Sequence, residues 1–180
     1  MRLGAQGWCT GMTLKDGMRR EVGGGFRMGN TLKAAYNEHT PHCGVAGSST
    51  LAADGSNAKV EVKITSELTS EYRVVVLIVQ DQIVGYQKHG EYGELDDYIH
   101  KHVVRSVVTE YVGTFTGEKM TSDGKIAAGE EAVKTWTVDI DRRWVLANTK
   151  VYALALDSNG YVNNMNVCAI DGGDSGYDFK

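Results

Sequence analysis

From residue 58 onward, apolar and polar side chains alternate along the chain. Val60, Val62 and Ile64 fall on one side and Lys59, Glu61 and Lys63 on the other, which is the pattern of a half-buried strand. Residues 74–79 form an unbroken apolar run, predicting a central strand covered on both faces. Asp81 and Gln82 predict a turn into a short strand over 83–87, and a polar loop rich in Gly and Glu follows over 88–98. A strand dominated by Val, Thr and Tyr is expected over 102–113. Residues 132–140 alternate again, with Trp136, Val138 and Ile140 opposite Val133, Thr135, Thr137 and Asp139. Residues 150–156 and 161–170 read as a hairpin around Asn159-Gly160, two residues that tolerate positive φ. About seven strands joined by short turns predict an all-β, antiparallel, immunoglobulin-like sandwich.

Before residue 58 the pattern is different. Half of the 22 glycines lie there, and glycine at that density opposes regular structure. One short helix is expected over 31–36, capped by Asn30 and ended by Pro41. The chain thus divides into a Gly-rich segment over 1–57, read as the remnant of an upstream domain, a sandwich over 58–170, and a flexible tail over 171–180.

Charge and length narrow the function classes. The net charge of −4 and the absence of a basic stripe oppose a nucleic-acid binder held by phosphate contacts. No apolar stretch approaches the roughly 20 residues needed to cross a bilayer as a helix. The start of the chain lacks the apolar core of a signal peptide, so an exported protein has had its signal removed or the chain is a fragment. Cys9, Cys43 and Cys168 make no even-numbered disulfide framework. They read as free thiols with Cys168 buried in a strand, one pair plus a free thiol being the alternative.

The order of segments is more specific. Gln87 ends a strand, and Tyr98-Ile99-His100-Lys101-His102-Val103-Val104-Arg105 follows the polar loop. Gly117-Glu118, the Trp136 strand and the Asn159-Gly160 hairpin come after it. Over about residues 45–170 this resembles the C-terminal domain of the outer-membrane-protein-28-related family of the Bacteroides group. The resemblance implies an exported, envelope-associated and often lipid-anchored protein at the outer membrane or cell surface of a Gram-negative bacterium. Relatives frequently carry a thioredoxin-like domain ahead of the sandwich. Here Met12 stands where the second thiol of a Trp-Cys-x-x-Cys motif would follow Trp8-Cys9, so a dithiol cycle cannot run on that pair.

His100 and His102 are two apart, which on a strand places both imidazoles on one side, as a weak candidate pair for zinc. The alternative role is to fix the loop to the sandwich, with Arg105 pairing a loop carboxylate. Glu91, Glu94, Asp96 and Asp97 form an acidic cluster that is a weak candidate for calcium, without EF-hand spacing. Glu38, His39, His42 and Cys43 gather in a loop that is a weaker metal corner. Trp136, Trp144, Tyr86, Tyr92, Tyr98 and Tyr161 are candidates for an aromatic binding surface. Trp136 is expected in the core, and Trp144 in a turn.

No nucleotide-binding or hydrolase motif is present, and no cofactor is called for. The expectation is a non-catalytic cell-envelope binding or adhesion module for a protein or glycan at the cell surface. Its binding residues are Tyr92, Tyr98, His100, His102 and Arg105. The alternative is a structural spacer for a thioredoxin-like partner domain absent from this chain.

Overall fold

A computed structural model describes residues 41–109 and 117–177 in full, and the backbone of 12–14 and 18–20. The helix expected over 31–36, Trp8, Cys9, Glu38 and His39 lie outside the described residues. The strands, in chain order, begin with β1 (Met12–Leu14) and β2 (Met18–Arg20), which pair with each other. Next come β3 (Cys43–Leu51), β4 (Asn57–Ser66), β5 (Ser70–Glu71) and β6 (Arg73–Gln80). These are followed by β7 (Ile83–His89), β8 (Gly93–His100) and β9 (Val103–Val107). After them come β10 (Glu118–Lys119), β11 (Lys125–Ile126) and β12 (Glu131–Asp139). The last are β13 (Thr149–Leu156), β14 (Val162–Ala169) and β15 (Gly173–Asp174).

Two antiparallel sheets face each other across one core. The first has the order β12-β4-β3-β15. The second has the order β10-β6-β13-β14, with β9 also on β6. Val45, Val60, Val62 and Ile64 from the first sheet meet Val74, Val76, Ile78, Val151 and Ala153 from the second, all of them buried. The all-β sandwich expected from the sequence is therefore present. Alternation in β4 does what its pattern predicts: Ala58, Val60, Val62 and Ile64 are buried while Lys59 faces water. The apolar run is the central strand β6, hydrogen-bonded to β13 on one side and to β9 and β10 on the other.

Four sequence expectations need correction. The sandwich takes in β3, which precedes residue 58 and pairs with β4 along its whole length. Its Gly44, Gly47, Ser48 and Ser49 gave no apolar alternation, yet its neighbours supply the ladder that holds it extended. The expected tail is docked as far as residue 177. Gly173 and Asp174 pair with Ser49 and Ser48, and the Ser175 hydroxyl donates to the Gly47 carbonyl at 2.8 Å. The strand expected over 83–87 is β7, but the polar loop expected after it is the turn and strand β8, which pairs back on β7 in register Ile83↔His100 to His89↔Gly93. At the β13–β14 turn only Gly160, at φ 81°, takes positive φ, and Asp157 accepts the backbone N–H groups of Asn159 and Tyr161. That turn is built on an Asx side chain rather than on two left-handed residues.

Side-chain clasps close both flanks of the sandwich. On one, the Asn164 amide donates to the Cys43 carbonyl at 2.8 Å, and Asn163 Oδ1 accepts the His42 N–H at 3.1 Å, joining β14 to the start of β3. On the other, Glu118 of β10 meets Lys134 and Trp136 of β12. Gly117 makes the second clasp reachable. It sits at φ +67°, and a Cβ there would lie 2.9 Å from the Val74 carbonyl oxygen.

Candidate functional site

Among the described residues, the β7–β8 ribbon pairs with no other strand. From residue 81 to residue 108 no side chain is buried, so this segment has no core of its own. The chain enters and leaves the ribbon through Gln82 (φ 57°) and His102 (φ 54°), the positive-φ non-glycine residues among those described. Left-handed backbone is unfavourable for such residues, and here it turns the chain out of the second sheet and back.

Asp81 fixes this corner. Its carboxylate accepts the His102 backbone N–H at 2.7 Å, and Lys150 Nζ and His102 Nδ1 lie 3.5 and 3.4 Å away. The His102 hydrogen bond, reinforced by the His102 and Lys150 charges, holds the Asp81 carboxyl below the usual carboxylate range. The Tyr152 hydroxyl lies 3.2 Å from the same imidazole.

Each expected site residue can now be placed. His100 ends β8, and its Nε2 lies 3.3 Å from the Tyr86 carbonyl. His102 stands in the bend, not on the strand, so the two imidazoles do not share one face of a strand as a metal pair would require. Among the described residues, no group of three or more His, Cys, Asp or Glu side chains is placed to hold a metal. Tyr92 is at the ribbon tip, stacked on His89 at 4.8 Å. Tyr98 is half-buried and packs edge-on against His100 at 5.0 Å. Arg105 is on β9, its Nε has no hydrogen-bond partner among the described residues, and it lines a depression with Asp141, Arg143 and Trp144. Trp136 is half-buried against the core and donates its indole N–H to Glu118, and Trp144 is half-buried in a turn. Tyr86, Tyr92 and Tyr98 belong to the ribbon, whereas Trp136 and Trp144 pack against the sandwich core.

Sequence reasoning missed the apolar face of the ribbon. Val84 and Ile99 are directly opposed across it, and Tyr86 lies two residues along from Val84. They are 66%, 53% and 54% exposed, with Tyr92 at 68%. Period-two spacing of Val84 and Tyr86 was the available signal. Cys43 and Cys168 are free and buried, and burial pushes their thiols up to about 12 and about 11.

Residues 26–172 match the family described as "Outer membrane protein Omp28". The chain belongs to the Omp28 family. The resemblance drawn from the Tyr98–Arg105 segment and the strand order is therefore correct, and Omp28 membership makes this a cell-envelope protein of the outer-membrane class. Among solved structures, HBP35 of Porphyromonas gingivalis is similar in fold, with a TM-score of 0.54 at 14% identity. That match covers 83% of this chain and 44% of the other, so this chain spans less than half the length of HBP35. No curated protein sequence matches.

Proposed function

We propose that this Omp28-family chain is an exported, non-catalytic binding module, and that the β7–β8 ribbon is its recognition element for a protein partner at the cell surface. The observation that carries this reading is the exposed Val84–Tyr86–Ile99 face on a ribbon that, among the described residues, pairs with no third strand. Isolated two-stranded ribbons are marginal in water, and surface that stays apolar marks a contact site. No described residue pairs with either ribbon edge, so both can accept an added strand. The acidic side chains Glu91, Glu94, Asp96 and Asp97 are exposed at the tip and along β8, which favours a partner segment carrying basic residues. Tyr92 adds an exposed ring at the tip.

The spacer reading has its own support, since more than half of HBP35 lies outside the matched region. Immobilised full-length chain incubated with solubilised outer membranes separates the two. A binding ribbon retains a partner that the Val84→Lys/Ile99→Lys double variant loses by about tenfold or more, and Tyr92→Ala weakens the same band. Equal retention by wild type and the double variant would overturn the binding reading and leave the spacer.

A further inference from the structure

A second site lies away from the ribbon face. Val104, Arg105, Asp141, Arg143 and Trp144 line a depression of about 300 Å³. Adjacent residues of a regular strand point to opposite faces, yet Val104 and Arg105 both line it. The register explains this. Val104 pairs with Val79 and Ser106 with Ile78, so Arg105 is the extra residue of a β-bulge, a device that re-aims a side chain.

Across the depression stands a tight turn. Trp144 N–H donates to the Asp141 carbonyl at 2.8 Å, and Arg143 N–H donates to the Asp141 carboxylate at 2.9 Å. The Arg143 guanidinium then takes both carboxylate oxygens, with Nε at 3.0 Å from each. This bidentate pair holds the Asp141 carboxyl well below its usual range, and Arg105 adds a smaller, longer-range pull.

Arg105 is left over. It is half-buried, its Nε is buried without a hydrogen-bond partner, and it makes no ion pair with the described residues. Among the described residues, the depression holds two guanidinium groups and one carboxylate, and both oxygens of that carboxylate already accept from Arg143. A partly desolvated cation without a hydrogen-bonded counter-charge is unfavourable, and a guanidinium fork matches a carboxylate or phosphate. Trp144 offers an aromatic wall beside it. The volume is at the lower end of the range for small-molecule sites, which favours a compact ligand.

We propose that Arg105 and Trp144 form a binding site for a small organic oxyanion, its carboxylate or phosphate head on the Arg105 guanidinium and its apolar body against the Trp144 ring. This does not depend on the ribbon having a partner. Full-length protein is titrated with phenyl phosphate, benzoate, inorganic phosphate and neutral benzyl alcohol. Binding is followed by Trp144 fluorescence, assigned with Trp144→Phe, and by the Arg105 Nε–H resonance. The expected result is saturable binding of phenyl phosphate or benzoate, with the stronger of the two identifying the head group. Inorganic phosphate binds about tenfold more weakly, and benzyl alcohol does not bind. Arg105→Gln weakens the better probe by about tenfold or more, and Arg105→Lys weakens it less. No saturable response in wild type by about 10 mM would overturn the proposal. So would unchanged affinity in Arg105→Gln, or benzyl alcohol binding as well as benzoate. Should Arg105→Gln not fold, the wild-type Nε–H shift and Arg105→Lys decide the matter by the same criteria.

Discussion

Asp81 and His102 stand at the two feet of the β7–β8 ribbon, and the Asp81 carboxylate accepts the His102 backbone N–H at 2.7 Å. This bond ties the outgoing chain to the returning one where both adopt left-handed backbone. A ribbon without a core depends on such a tether more than a core strand does.

Asp81→Ala is expected to loosen the ribbon selectively. Amide exchange across residues 83–100 should accelerate by about tenfold, while β4, β6 and β13 keep their protection. Acid should act the same way. The folded carboxyl titrates below its ordinary value of 3.8, so its contribution is present above that pH and is lost as pH falls through the lowered folded value. Uniform acceleration across the sandwich would contradict a local role.

The Glu118 clasp gives a stability prediction. Glu118 takes Lys134 Nζ at 2.6 Å and the Trp136 indole N–H at 3.4 Å, joining β10 to β12. Glu118→Ala removes the acceptor for a half-buried indole and should cost about 1 kcal/mol in urea unfolding. In a double-mutant cycle with Trp136→Phe the two losses should be less than additive, because the variants share one bond. Additive losses would show that the contact carries no energy.

The thiols predict a third outcome. In a Cys9→Ser protein, Cys43 and Cys168 should resist a thiol-reactive probe until the chain unfolds, since both are buried and Cys43 Sγ donates to Asn163 Oδ1 at 3.2 Å. Their folded values, about 12 and about 11, stand above the unfolded 9.0. The folded state therefore holds more protons above pH 9, and stability should fall as pH rises from there towards the folded values. Rapid labelling in the native state at pH 8 would contradict this burial.

Legibility varied with how each segment earns its conformation. β4, β6 and β12 bury apolar side chains, and period two or an unbroken apolar run records that in the sequence. Val84 and Tyr86 lie in a strand that the sequence does predict over 83–87, but Glu91, Glu94, Asp96 and Asp97 give its partner β8 the composition of a polar loop. β3 and the 171–177 segment are held by backbone pairing with neighbours and by Ser175, which leaves no apolar pattern to detect. His100 and His102 looked like a pair because spacing was counted on a straight strand; the positive φ at His102 breaks that count.

The sequence by itself determined the class of fold and its central strand, because burial in a two-layer core writes itself into local periodicity, and the Tyr98–Arg105 segment with the order of segments around it carried the family resemblance. Only the tertiary structure decided where specificity could lie. It turned the ribbon out at Gln82 and His102, and a bulge brought Arg105 beside Asp141, Arg143 and Trp144. The physical reason is that side-chain period is a local property, whereas bulges, left-handed corners and edge clasps depend on residues distant in sequence.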